Sequence, residues 1–232
     1  EWRLPLYRLD LGAVLGMYVG QSESQLREAL ETADRVAPCV LWIDEIEKGL
    51  ANGGGDGGVS RRLVGQFLYW LQESTSKVFL VATANEVTSL PPELLRKGRF
   101  DELFFVDLPE SQERAEILSL YFRKYLSVDC PPELLDTLVQ LSQDFSGSDM
   151  EAVVHDIATD QYTEGLQGLP PRDRIVRFFQ DVVPYSQTNP EDVAAIRQWG
   201  RGRCLPASRS ETTTGAANGS PVGRRIIVHA ME

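Results

Sequence analysis

The sequence predicts an α/β fold: a parallel sheet covered by helices, followed by a small all-helical part. Two apolar runs and one change of texture carry that prediction. Val40-Leu41-Trp42-Ile43 is closed at once by Asp44 and Glu45. A run too continuous to alternate reads as a central strand of a parallel sheet, covered on both faces. Val78-Phe79-Leu80-Val81-Ala82-Thr83 is a second such run, ending at Ala84-Asn85. After Pro109 the strand signals stop and helical periodicity takes over, which divides the chain near residue 109 into an α/β core and a helical domain.

The elements follow in order. Leu4 to Leu11 alternates loosely and reads as a strand, and Gly12 to Gly20 as a connection. Ser22 with Gln25 forms a capping box that opens a helix through Leu26, Ala29, Leu30, Ala33 and Val36, stopped by Pro38. After the Val40–Glu45 strand, the glycines of 52–58 are costly to order and predict a mobile surface loop. Arg61 to Glu73 returns to helical spacing. The strand 78–83 comes next, then a short helix from Ser89 with Pro91 and Pro92 in its first turn, ended by Gly98. Leu103 to Val106 is a further strand. Beyond Pro109, helices are predicted over 112–126, 132–141, from a Ser148–Glu151 cap to Tyr162, and over 172–181 and 190–200. From Gly202 the composition turns to Ser, Thr, Gly and Ala, so 201–232 reads as a disordered tail, with Ile226-Ile227-Val228 too short to change that.

Composition narrows the function. A hydrophobic content of 42% over 232 residues is enough for a core, and a net charge of −11 argues against a general nucleic-acid-binding surface. Cys39, Cys130 and Cys204 are odd in number and far apart, with neither metal spacing nor a disulfide frame, which fits a reducing, cytoplasmic compartment. No apolar run approaches the ~20 residues that cross a bilayer. The chain opens on Glu1-Trp2-Arg3 rather than Met, as a segment from within a longer protein would. His155 and His229 have no partner at ligand spacing and receive no role.

Ligands of open α/β sheets sit outside the carboxyl ends of the strands, where Asp44 and Glu45 project. A carboxylate there can hold Mg²⁺ through its waters, and its neighbour can polarise a water for phosphoryl transfer. The surrounding residues make the pattern specific. Cys39-Val40-Leu41-Trp42-Ile43-Asp44-Glu45-Ile46, Ala82-Thr83-Ala84-Asn85 and Leu94-Leu95-Arg96-Lys97-Gly98-Arg99-Phe100-Asp101 resemble the Walker B motif, sensor 1 and second region of homology of an AAA+ ATPase. Met17-Tyr18-Val19-Gly20-Gln21-Ser22-Glu23 resembles the first pore loop of the branch that holds the membrane-bound AAA proteases and proteasomal ATPases. Phe145-Ser146-Gly147-Ser148-Asp149 resembles the sensor 2 region of the helical lid. The resemblance covers about residues 1–165 and is nearest to a stand-alone AAA ATPase family of cyanobacteria and plastids. It implies a P-loop NTPase-type parallel sheet, incomplete at its N-terminus, with an AAA+ lid.

The resemblance assigns roles residue by residue. Asp44 would orient Mg²⁺ and bind the cofactor ATP with it, and Glu45 would act as the base. Asn85 would hold the same water and sense the γ-phosphate, although alone it is an ordinary turn residue. Arg96 and Arg99 would be arginine fingers reaching into a neighbouring subunit, against the alternative of surface pairing with Asp101 or Glu102. Guanidinium suits the task because it stays charged and forks onto phosphate oxygens. Fingers acting in trans imply a homo-oligomeric ring, a hexamer by family. Tyr18 and Val19 would grip a polypeptide substrate in the pore, unless Tyr18 is a core residue. Ile117 and Tyr121 take positions that pack adenine, or are plain core at i, i+4. Gly147 and Ser148 occupy the lid's Gly-Ala position, with Ser a departure from Ala. By the same likeness the protein works in cyanobacterial cytoplasm or plastid stroma.

No G-x-x-x-x-G-K-[ST] phosphate loop occurs in the sequence, and the 52–58 glycines lack its Lys. In the family that loop precedes the strand at 4–11, so the first core strand should be missing with it. The expectation is an AAA+ core without its N-terminal part, inactive alone and poorly folded. No His-Glu-x-x-His motif supports a protease. The rival is a non-hydrolysing scaffold or regulatory module of the same shape.

Overall fold

The computed structural model describes residues 2–15, 21–50, 57–96, 98–165, 168–208 and 225–229. These residues form two compact units. One holds the chain up to Val106 and the described residues from Gly202 on; the other holds Asp107–Arg201.

The first unit is built on a six-stranded sheet of order β1-β2-β3-β6-β4-β5. Its strands are β1 (Leu6–Leu9), β2 (Cys39–Ile43), β3 (Val78–Thr83), β4 (Glu102–Phe105), β5 (Leu205–Pro206) and β6 (Arg225–His229), all paired in parallel. Cys39, Leu41 and Ile43 of β2 and Val78, Leu80 and Ala82 of β3 are buried. The helices α2 (Gln21–Arg35) and α4 (Gly57–Glu73) bury their own stripes, Leu26, Leu30 and Ala33 on one and Leu63, Phe67 and Leu71 on the other, and pack together. The expected second covered face is only half-buried: Val40, Trp42, Phe79 and Val81 are intermediate. Trp2 meets Phe79 edge-on at 4.7 Å and the Arg8 guanidinium lies 5.1 Å from the Trp42 ring.

Several elements depart from expectation for local reasons. The predicted connection at 12–20 opens with a helix, α1 (Leu11–Leu15), because the Asp10 carboxylate accepts from the Ala13 N–H at 3.0 Å, as an N-cap does. α2 starts at Gln21, which puts Ser22 inside the first turn. α3 (Ile46–Leu50) follows β2, and its Gly49 lies where a side chain would meet Leu11 Cβ at 2.5 Å. Gly57 and Gly58 belong to α4, not to a loop; residues 51–56 lie outside the described residues. Between Ser89 and Gly98 the described residues form no regular α-helix. Val87–Ser89 is a 3₁₀ turn, and Leu94 and Leu95 close i→i+3 turns onto Pro91 and Pro92.

The largest correction concerns two stretches of the expected tail, 201–208 and 225–229; residues 209–224 and 230–232 lie outside the described residues. Leu205 and Phe104 are register partners, and the Ala207 N–H donates to the Phe105 carbonyl at 2.9 Å. Arg225–His229 lies inside the sheet, with Leu80–Thr83 of β3 on one side and Glu102–Phe105 of β4 on the other. A strand paired on both edges needs little length, and Ile226-Ile227-Val228 is β-branched throughout. The central place between β3 and β4 is therefore filled from the C-terminal end of the chain.

The second unit is helical: α5 (Ser111–Tyr121) running into a π-helical turn at Phe122–Leu126, then α6 (Pro132–Leu141), α7 (Gly147–Thr163), α8 (Arg172–Asp181), α9 (Tyr185–Thr188) and α10 (Pro190–Gly200). Leu118, Phe122, Leu138, Val154, Ile157 and Phe179 form its core. Arg114, 9% exposed, donates to the carbonyls of Val139 and Pro109 and so ties α5 to the end of α6. The cap of α7 is Ser146 with Asp149, not Ser148 with Glu151. Ser146 Oγ accepts from the Asp149 N–H at 3.1 Å while Asp149 Oδ2 accepts from the Ser146 N–H at 2.8 Å.

Candidate functional site

The sheet brings Asp44, Glu45 and Asn85 to one end. β2 and β3 run in register from Cys39↔Val78 to Ile43↔Ala82, so the residues after each strand emerge side by side. Thr83 locks the arrangement. Its hydroxyl donates to Asp44 Oδ1 at 2.6 Å and accepts the Glu45 N–H at 2.9 Å. Glu45 itself sits at φ 48, in the left-handed region. That conformation is uncommon for a residue with a Cβ and is found where surroundings over-determine it. Here the Thr83 hydroxyl and the turn into α3 do so.

Each carboxylate also faces a cation. Arg8 Nη2 lies 3.4 Å from Asp44 Oδ2 and Lys48 Nζ 2.5 Å from Glu45 Oε2. Both cations are more than half exposed, which makes the pairs weak and easily exchanged. Glu47, 6% exposed, accepts the Asn85 N–H on Oε1 at 3.0 Å.

Arg96 is exposed and Arg99 intermediate, on a turn closed by Arg99 N–H to the Arg96 carbonyl at 3.3 Å. Gly98 between them has φ +87, a conformation suited to glycine. Among the described residues neither guanidinium makes an ion pair, so the alternative of pairing with Asp101 or Glu102 is not what the structure presents. Tyr18 and Val19 lie outside the described residues.

In the helical unit, Ile117 and Tyr121 are partly buried against the core. Tyr121 stacks tilted on Tyr125 at 6.1 Å, and burial, then the Glu151 charge, pushes its hydroxyl pKa up. Lys124 Nζ sits over both rings and donates to Glu151 Oε1, which also accepts from the Tyr125 hydroxyl. These donors hold the Glu151 carboxyl at about 2. Gly147 opens α7, and a side chain there would meet no atom within 4 Å. Packing therefore does not require a glycine there. Ser148 beside it is exposed.

These residues fit Mg²⁺ of a particular kind. Asp44 and Thr83 offer hard oxygens, yet among the described residues no three His, Cys, Asp or Glu side chains stand close enough to cage an ion. That is the donor set of a metal held by one or two carboxylates, water and phosphate oxygens. The phosphate loop itself has no counterpart in the sequence.

Sequence reasoning missed Thr83, Glu47, Arg8 and Lys48. Signals existed for two. Thr83 is the one hydroxyl closing an apolar strand, and Lys48 stands three residues after Glu45, at helical reach.

Comparison with known proteins decides the family. Residues 1–108 match the family described as ATPase family associated with various cellular activities (AAA). These residues are an AAA domain. The chain is 39% identical over 217 residues to an AAA domain-containing protein, ycf46, of Trieres chinensis, covering 90% of this chain and 43% of that protein. It is 36% identical over 171 residues to the peroxisomal ATPase PEX6 of Homo sapiens, covering 66% of this chain and 17% of that protein. The chain thus spans less than half the length of these AAA relatives. The crystal structure of the FIGL-1 AAA domain superposes with a TM-score of 0.69 at 19% identity, over 85% of this chain and 68% of that one. At that identity the likeness supports the α/β fold with its helical part and nothing finer. No described helix is long and apolar enough to cross a membrane.

Proposed function

We propose that this AAA chain is the hydrolysing part of a ring-forming ATPase that remodels a protein substrate. The observation that carries the reading is the Thr83 clamp, which holds Asp44 and Glu45 at the strand ends beside Asn85. Bound Mg²⁺ would neutralise charge developing on the transferred phosphoryl group. Asp44 would hold it in place of its exposed partner Arg8. Glu45, released from Lys48, takes the proton of the attacking water, and Asn85 orients that water. Ile117, Tyr121, Gly147 and Ser148 contribute to nucleotide binding from the helical unit. Arg96 and Arg99 serve a neighbouring copy, which makes a homo-oligomer, proposed as a hexamer, the working unit. Tyr18 and Val19 contact the translocating polypeptide. The cytoplasm or plastid stroma is the proposed compartment.

The test is ATP hydrolysis by the full-length protein beside Glu45→Gln and Arg99→Ala. Turnover should vanish in Glu45→Gln while nucleotide binding survives. Arg99→Ala should be restored in part by mixing with Glu45→Gln, since each mutant lends the other its intact half-site. Absence of turnover in the unmodified protein at concentrations where a ring forms would favour the scaffold reading. A full-length protein that lacked a phosphate loop would favour it as well.

A further inference from the structure

Glu47 is buried to 6% exposure, and its Oε2 is enclosed without a hydrogen-bond partner among the described residues, while Oε1 accepts the Asn85 N–H at 3.0 Å. A desolvated carboxylate with one oxygen unused is a poor way to fill space; an apolar side chain of the same volume would fit at lower cost. What the carboxylate supplies is a strong acceptor in a low-dielectric setting, aimed at one backbone donor. That donor belongs to Asn85, whose side chain is on β3's exit, whereas Glu47 rides on α3 directly behind Asp44 and Glu45. Thr83 ties the same two strand ends through its hydroxyl. The two contacts form a cross-brace: β3 reaches back to the Asp44–Glu45 turn through Thr83, and that turn reaches forward to β3 through Glu47.

We propose that Glu47 is a positioning residue for Asn85, fixing the backbone from which the Asn85 side chain reaches the site. This deepens the proposed function and rests on it for the meaning of Asn85, but the contact can be tested independently.

The experiment compares the full chain with Glu47→Met and Glu47→Gln by amide hydrogen exchange and thermal unfolding. Methionine keeps the volume and removes both acceptor and buried charge. If Glu47 only fills space, Glu47→Met should hold or raise stability and leave Asn85 untouched. If it positions Asn85, the Asn85 N–H loses its acceptor, so stability should fall below that of Glu47→Gln while the Asn85 amide exchanges at least about tenfold faster, the worth of a charged hydrogen bond. The Glu45 amide, which donates to Thr83, should keep its rate. Glu47→Gln retains a neutral acceptor and should restore most of the Asn85 protection, with the amide proton shifted upfield. Unchanged Asn85 exchange in Glu47→Met, or equal acceleration at Glu45, would overturn the proposal. Should Glu47→Met not fold, an unmoved Asn85 amide proton in Glu47→Gln would overturn it equally. Asn85→Ala in the full-length ATPase tests the underlying reading: full turnover there removes Asn85 from catalysis and leaves the Glu47 contact standing.

Discussion

The placement of β6 makes a sharp demand on stability. Ile227 lies opposite Ala82 on one side and Leu103 on the other, so its N–H faces a paired neighbour whichever way it points. Ile227→Pro deletes that donor and strands the carbonyl that accepted from it. Losing a ladder hydrogen bond costs about 1 kcal/mol net, and an orphaned buried acceptor about 1–3 more, for a total of about 2–4 kcal/mol. Against a whole-domain stability of about 5–15 kcal/mol, that is a large fraction. Ile227→Ala is the necessary control, because it removes the side chain while keeping the N–H. Urea unfolding followed by fluorescence suits the measurement, since Trp2, Trp42 and Trp70 all belong to this unit. With a slope of about 2 kcal/mol per M, the Pro variant should unfold about 1–2 M earlier than the Ala variant. Coincident midpoints for the two would refute the placement of 225–229 within the sheet.

Three further outcomes are expected. Thr83→Val leaves the Glu45 N–H without its acceptor and Asp44 without its donor, so it should cost about 1–3 kcal/mol in unfolding, with Thr83→Ser close to wild type. Gly49→Ala separates two opposed effects: helix propensity alone promises a gain of about 1 kcal/mol, but the added carbon would meet Leu11 Cβ at 2.5 Å. Overpacking should win, with a net loss of about 1–3 kcal/mol in the same assay. In the helical unit, Lys124 first and then Tyr125 hold the Glu151 carboxyl at about 2, below its ordinary 4.5. A depressed folded-state pKa contributes stability above about pH 4.5 that is lost as pH falls toward 2. Glu151→Gln should therefore flatten the acid limb of a stability–pH curve followed by circular dichroism.

Legibility in the sequence tracked how local the cause was. The bounds of β3, α6, α8 and α10 follow from periodicity and prolines within the segments themselves. Asp44, Glu45 and Asn85 were legible because each directly follows an apolar run, and strand ends are where ligands bind. Thr83 and Glu47 were not, since their roles exist only once residues 38 or more positions apart are brought together. β6 failed for a related reason. Five residues beyond a Ser/Thr/Gly-rich stretch look dispensable until the vacancy between β3 and β4 is known, and that vacancy is a property of topology. The half-exposed face of Val40, Trp42, Phe79 and Val81 shows the converse: continuous apolar runs state what the strands are suited to, not how fully the described residues cover them.

The charge layout bears on how such a site could hold a nucleotide. Asp44, Glu45 and Glu47 put three carboxylates within four positions at the exit of β2, and Arg8 and Lys48 are already paired with two of them. A phosphate chain entering there meets acceptors, and like charges a few ångströms apart repel by about 1 kcal/mol even in water and several-fold more near a protein surface. Binding must therefore bring positive charge with it. On the proposed reading a divalent metal supplies part at Asp44, which frees Arg8, and guanidinium groups from a neighbouring copy supply the rest. Arg96 and Arg99 suit that use because, among the described residues, neither spends its charge in an ion pair of its own. On that proposal metal and nucleotide would enter together, and the neighbour's arginines would gain their partner only afterwards. Nucleotide should then strengthen the ring, and Arg99→Ala should weaken that dependence without altering the fold of the subunit.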